Sequence, residues 1–189
     1  MQQYGQYNLI DINDSVLVII DIQERLVSAM PSDIVNTTIE QAQRLTVAAT
    51  TLKIPVLLTE QYPRGLGVTV SQLTEKMDGV VAIEKTSFSC AKVASFMQQL
   101  EQTGRKQVVL SGMESHICIL QTALELQEKG YQVFIAEDGV CSRTQQNKLN
   151  ALQRMQQAGI TITNMESVLF EWLGDASHPD FKVLSKLIV

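Results

Sequence analysis

The chain has 189 residues, 45% of them hydrophobic, enough to bury one sizeable core, and no break in composition divides it into two domains. Its formal net charge is −5, with Lys and Arg scattered rather than striped, which argues against nucleic acid or an anionic membrane surface as the main partner. Its three cysteines show no metal-type spacing and read as reduced thiols, which suits a cytoplasmic protein.

The N-terminus, MQQYGQYNLIDIND, has neither a basic head nor an apolar centre, so it does not read as a signal peptide. The longest fully apolar run, residues 16–20, is far too short to span a bilayer. From there, strand-like and helix-like stretches alternate. Residues 15–22, 55–59, 80–84, 107–110, 131–136 and 160–163 are short, apolar and rich in Val and Ile, as in parallel strands covered on both faces. Between them, helical spacing links Ile39, Ala42, Leu45, Ala49 and Leu52, then Val93, Phe96, Met97 and Leu100, then Leu149, Leu152 and Met155. Gly104, Gly130 and Gly159 each follow a helix and precede a strand, the C-terminal glycine of a repeated helix-to-strand joint. The pattern predicts one domain over residues 1–189: a doubly wound, Rossmann-like α/β sandwich of three layers around a mainly parallel six-stranded sheet. Residues 60–67 are the expected mobile loop, and the tail from His178 to Val189 reads as a short closing helix.

In such a sheet, ligands bind beyond the carboxyl ends of the strands. The first strand ends in Asp21, the third runs into Lys85, and the fourth leads to Cys118, so a carboxylate, an ammonium and a thiol converge on one edge. Each has a plainer reading, as a helix cap, a solvated loop charge and a core residue respectively. In Gln107-Val-Val-Leu-Ser-Gly-Met-Glu-Ser-His-Ile-Cys118, Ser111-Gly112 is expected to break the strand and Ser115 to cap the next helix. Cys118 then falls in a first helical turn, where free N–H groups and the helix dipole favour a thiolate and lower the thiol pKa below about 8.5. Cys90 also lies near a helix start, and Cys141 follows local carboxylates; both rank behind Cys118.

Only two histidines exist, His116 and His178. His116 stands two positions from Cys118 and on a helix would not face it; His178 sits in the tail. A carboxylate, Asp21, is therefore the better base for Cys118, with Lys85 as compensating cation. Asp21-Ile-Gln-Glu-Arg stands where a Gly-rich phosphate loop would be, and CxxC, HExxH and His/Asp clusters are missing, so no cofactor and no metal are expected.

Val18-Ile-Ile-Asp21-Ile-Gln23, Glu84-Lys85-Thr86-Ser-Phe88 and Ser111-Gly-Met-Glu-Ser-His-Ile-Cys118 together resemble the isochorismatase-like cysteine hydrolase family over nearly the full length. The stretch from Leu120-Gln-Thr-Ala to Ala136-Glu-Asp-Gly-Val is similar to the family's isochorismatase-domain proteins of poorly assigned substrate. The resemblance implies Asp21 as general base, Lys85 as its positioning cation and Cys118 as nucleophile. It further implies a cis peptide at Met113–Glu114, turning the Glu114 N–H toward that of Cys118 to form an oxyanion hole. Nicotinamidases of the family carry an Asp-x-His metal site after the second strand, where this chain reads Thr59-Glu60-Gln61-Tyr62. The expected activity is metal-independent hydrolysis of a small amide-like substrate through a thioester. The alternatives are isochorismatase-type hydrolysis of a non-amide substrate and a non-catalytic oligomeric scaffold of the same fold. A flavodoxin-like binding module shares the architecture but needs an anion-cradling loop that the sequence lacks. Gln23, Leu26, Tyr62 and Phe88 are the expected pocket residues by position. The remaining expectations are a small-molecule partner and a homo-oligomer of two or more copies.

Overall fold

The structure, a computed structural model, describes residues 8–188; the N-terminal stretch 1–7 and Val189 lie outside the described residues, and with them half of the sequence read against a signal peptide. In chain order the elements are β1 (Ser15–Ile20), α1 (Glu24–Ser28), α2 (Ser32–Thr51), β2 (Val56–Gln61), α3 (Pro63–Leu66), α4 (Ser71–Thr74), β3 (Ile83–Lys85), α5 (Ala94–Gln102), β4 (Gln107–Met113), α6 (Leu120–Glu128), β5 (Gln132–Cys141), α7 (Gln145–Gln157), β6 (Thr161–Thr163), α8 (Met165–Leu173) and α9 (Phe181–Leu184). The strands form one all-parallel sheet in the order β3-β2-β1-β4-β5-β6, a doubly wound arrangement whose order reverses between β1 and β4.

All six residues of β1 are buried, because helices cover both faces of the sheet. Successive side chains of a strand point to opposite faces. Leu17 and Ile19 therefore join one core with Ala42, Leu45 and Trp172, while Val16, Val18 and Ile20 join the other with Phe96, Leu126 and Met155. Gly104, Gly130 and Gly159 end their helices with φ of 69°, 84° and 88°, the left-handed geometry the helix-to-strand joints were expected to use. Among the described residues, no helix is long and apolar enough to cross a membrane.

Four local expectations are corrected. Ser111-Gly112 does not break β4. The strand runs on to Met113, and the mismatch is absorbed by a shift in the β4/β5 register between Leu110 and Gly112, bridged by Ser111 Oγ donating to the Gly139 carbonyl at 2.6 Å. The third strand is Ile83–Lys85 rather than 80–84, because Val80 closes a turn on Met77 and Val81 is 81% exposed. Leu149 lies on the outer face of α7, which buries Ala151, Leu152 and Met155. The segment 60–67, expected to be mobile, is tied down: Glu60 and Gln61 belong to β2, Pro63 opens α3, and the Gln23 side chain bridges the backbone of Gln61 and Gly67. The closing helix is α9, continued by a tight turn over Ser185–Ile188.

Candidate functional site

At the carboxyl end of β1 the chain leaves the extended conformation abruptly. Asp21 adopts φ 54°, a left-handed geometry that costs a non-glycine residue about 1–3 kcal/mol and persists where surrounding contacts enforce it. Its N–H donates to the Thr59 carbonyl at 3.2 Å, and its carbonyl accepts from Gln23 N–H at 2.9 Å. The carboxylate is fully buried between two neighbouring strands' residues: Thr59 Oγ1 donates to Oδ1 at 2.8 Å, and Lys85 Nζ donates to Oδ2 at 2.6 Å.

Lys85 ends β3 with its side chain directed inward, also fully buried. Besides Asp21, its ammonium meets Gln61 Oε1 at 2.7 Å, the Phe88 and Ser87 carbonyls at 3.2 and 3.3 Å, and Cys118 Sγ at 3.7 Å. Gln61 is itself oriented, its Nε2 donating to the Thr86 carbonyl at 2.8 Å. Burial pulls the Lys85 pKa down, but Asp21 and the neighbouring thiols more than offset it and hold the group above its ordinary 10.5. Burial also raises the Asp21 carboxyl above its ordinary 3.8, although Lys85 and Thr59 pull it back. The pair therefore retains protons on both partners more readily than either group would in water.

Cys118 is 6% exposed and lies in a wide π-helical turn, Ser115–Ile119, between β4 and α6. Here the structure overturns two expectations. Ser115 is not the cap: Glu114 occupies that position without a side-chain capping bond, and Ser115 Oγ is buried with no partner among the described residues. The thiol is pushed up rather than down, first by burial and then by the Asp21 charge, with Lys85 opposing. Desolvation and a buried carboxylate outweigh a helix-end dipole, whose usual worth is below about 1 kcal/mol. The peptide bond between Met113 and Glu114 is cis. The Glu114 N–H has no hydrogen-bond partner among the described residues.

The remaining titratable residues fall into place around this centre. His116 faces away from the thiol, its Nδ1 paired with Ser142 Oγ at 3.0 Å and its Nε2 3.4 Å from Asn147 Nδ2. His178 lies in the tail beside Asp180. Cys90 is fully buried 3.9 Å from Thr59 Oγ1, with its thiol pushed up to about 11 by burial and by Asp21. Cys141 is also buried and raised. Glu60 is engaged by the Thr69 N–H and Oγ1, both at 2.7 Å.

A cleft of about 350 Å³ at the ends of β2 and β3 is lined by Tyr62, Pro63, Arg64, Glu84, Lys85 and Thr86. Of the four expected pocket residues, Tyr62 alone lines it. Gln23 is fully buried and holds backbone, Leu26 packs on the core, and Phe88 is 52% exposed beside the cleft, contributing its carbonyl to Lys85. Sequence reasoning missed Thr59, Gln61, Arg64 and Arg143. A period of two along 59–61 brings Thr59 and Gln61 onto one face with Asp21 and Lys85, a signal the sequence does carry.

Residues 15–167 match the isochorismatase domain as a family. The chain is 39% identical over 178 residues to isochorismatase domain-containing protein 2 of Rattus norvegicus, covering 92% of this chain and 80% of that protein. The MAR1 ribonuclease of Caenorhabditis elegans superposes with a TM-score of 0.89 at 35% identity over 95% of this chain and 92% of the other. The YcaC gene product of Escherichia coli, an octameric hydrolase of unknown specificity, shares the fold with a TM-score of 0.89 at 24% identity, covering 97% and 91%. An all-parallel sheet in this order, with this match along its length, makes the chain a member of the isochorismatase family, whose fold it shares.

Proposed function

We propose that the protein is a metal-independent cysteine hydrolase that cleaves a small amide-like substrate through a thioester. The observation that carries the reading is the placement of a single buried ammonium, Lys85 Nζ, 2.6 Å from the Asp21 carboxylate and 3.7 Å from the Cys118 sulfur. A raised thiol beside a carboxylate suits proton transfer during attack rather than a standing thiolate. Cys118 Sγ bonds to the carbonyl carbon as its proton passes to Asp21. The carbonyl π pair moves to oxygen, which the N–H groups of Glu114 and Cys118 stabilise. Collapse expels the amine, which takes the proton from Asp21. Water then adds to the thioester carbon with Asp21 again accepting a proton, and the electron pair and proton return to sulfur. Lys85 stays protonated throughout and keeps Asp21 oriented.

The proposed partner is a small molecule. A phosphodiester substrate, the chemistry in the name of the MAR1 ribonuclease, fits poorly with a net charge of −5. The proposed homo-oligomer follows the octameric state of the YcaC neighbour, and three unpaired thiols suit the cytoplasm. A panel of small amides assayed by ammonia release, with intact-mass detection of an acyl adduct, tests the reading. Wild type should turn over at least one amide in the presence of chelator, and Cys118→Ser should form no adduct. Turnover by Cys118→Ser at wild-type rate would end it.

A further inference from the structure

Glu114 presents a puzzle that the hydrolytic reading leaves open. Its side chain is 4% exposed, and its carboxylate is bound by the segment that follows β5. There Arg143 grips it with four contacts: backbone N–H to Oε2 at 3.3 Å, Nε to Oε1 and Oε2 at 3.2 and 3.3 Å, and Nη2 to Oε1 at 2.9 Å. The Arg143 side chain as a whole is 60% exposed. Two further contacts flank this fork, Ser142 Oγ with His116 Nδ1 and Asn147 Nδ2 near His116 Nε2. Residues 142–147 therefore hold residues 114–116 from outside.

The turn holds itself by backbone bonds, with the Glu114 carbonyl accepting from the Ile117 and Ile119 N–H groups at 3.1 and 3.3 Å. It lacks a side-chain cap, Ser115 Oγ has no partner among the described residues, and the Glu114 N–H donates to none of them. A hydrogen-bond donor aimed at a developing oxyanion works only if it is held in place beforehand: losing one costs about 10²–10³ in rate, and a 1 Å misplacement about 10². A buried carboxylate also needs its partner, and a bidentate arginine fork fixes rotation as well as position. We infer that Arg143 is a positioning residue that, through the Glu114 carboxylate, holds the Glu114 N–H where the reacting carbonyl oxygen gains its charge. The inference rests on the reading of Cys118 as the nucleophile.

Two reagents separate the inference from a general structural role, and neither requires the natural substrate. Iodoacetamide alkylates Cys118 by displacing iodide at a saturated carbon, where no oxyanion forms. The ester p-nitrophenyl acetate acylates it through a tetrahedral oxyanion: sulfur bonds to the carbonyl carbon, the thiol proton goes to Asp21, and collapse expels p-nitrophenolate. In Arg143→Ala, acylation should fall by about tenfold or more while alkylation stays within about twofold of wild type. Arg143→Lys keeps the charge without the fork and should recover part of the acylation rate. If Arg143→Ala does not fold by circular dichroism, the same ratio is read in Arg143→Lys. Unchanged acylation, or acylation and alkylation falling together, overturns the positioning role. Wild-type Cys118 that resists both reagents overturns the nucleophile reading and this inference with it; acylation in wild type with an unchanged ratio in the variants overturns this inference alone.

Discussion

Lys85→Met tests the electrostatics of the site most directly. In the native protein the ammonium is fully buried and contacts Asp21 Oδ2, Gln61 Oε1, two carbonyls and Cys118. Methionine fills similar space without charge and leaves Asp21 with Thr59 Oγ1 and the Cys118 thiol as its side-chain donors. Removing one partner of a buried ion pair costs about 3–5 kcal/mol. An independent route gives a similar figure. The stranded carboxyl escapes by taking a proton, and holding a carboxyl of ordinary pKa 3.8 protonated at pH 7 costs about 4 kcal/mol at about 1.36 kcal/mol per unit. That route fixes the sign of the pH dependence. In the variant the folded state binds a proton that the unfolded chain releases above its ordinary pKa, so stability rises as pH falls, by about 1.4 kcal/mol per pH unit between 7 and 5 relative to wild type. The double variant Asp21→Asn with Lys85→Met buries no charge and should be more stable than the two single losses added together, by about 2 kcal/mol or more. Urea unfolding of the four proteins at pH 5, 6 and 7 measures all three quantities. A loss below about 1 kcal/mol for Lys85→Met, or one that does not change with pH, would refute the reasoning.

Three further outcomes follow from the same geometry. Burial raises Asp21 above 3.8 and Lys85 is held above 10.5, so kcat/KM should fall on the acid side with a midpoint above pH 3.8 and show no alkaline loss from Lys85 below pH 10.5; Asp21→Asn should lower kcat by about 10²–10⁴ at every pH. Iodoacetamide should label Cys118 ahead of Cys90 and Cys141, which are fully buried, and the labelling rate should climb steadily with pH through neutrality because the thiol is raised; faster labelling of Cys90, read by peptide mapping, contradicts this. Gly112→Ala should destabilise strongly, by more than about 3 kcal/mol in urea, because Gly112 has φ 134° and an added Cβ would lie 2.0 Å from the Ile20 carbonyl oxygen; a fully stable variant would mean that β1 and β4 can separate there.

The fold was legible because its signals are local and repeated. Continuous apolar runs mark strands buried on both faces, and glycines at 104, 130 and 159 mark each return from helix to sheet. The irregular part of the sheet was not legible, for the opposite reason. Whether Ser111-Gly112 ends β4 or lets it slide past β5 depends on Gly139 and Val140, far along the chain, and on Ile20 of a third strand. The same division runs through the site. Asp21 and Lys85 stand at strand ends, so topology alone brings them to one edge. Gln23 stands at such an end too, yet it supports the loop instead of facing a substrate, because two backbone groups at Gln61 and Gly67 lie within its reach.

At Cys118 the structure reverses the electrostatic sign that the sequence suggests. A helix start beside a lysine is a local argument for a thiolate, and the lysine is indeed 3.7 Å from the sulfur. But that lysine is already paired with Asp21 at 2.6 Å, so the two charges largely cancel at the thiol and desolvation decides the direction. The cancellation has a chemical consequence. A permanently ionised thiolate would leave Asp21 with no proton to accept from it and none to give to a departing amine. A thiol held protonated beside a carboxylate keeps one mobile proton in the site, and the attack of sulfur is the event that moves it. In the proposed mechanism the proton then leaves with the amine, and water restores it when the thioester is hydrolysed. Lys85 allows both stages by remaining charged, since it neutralises Asp21 before the transfer and faces a developing thiolate during it. A site built this way would slow the reaction of its thiol with simple alkylating reagents near neutral pH and favour a carbonyl bound beside the Glu114 N–H, which is why the proposed placement of that donor by Arg143 matters as much as the thiol itself.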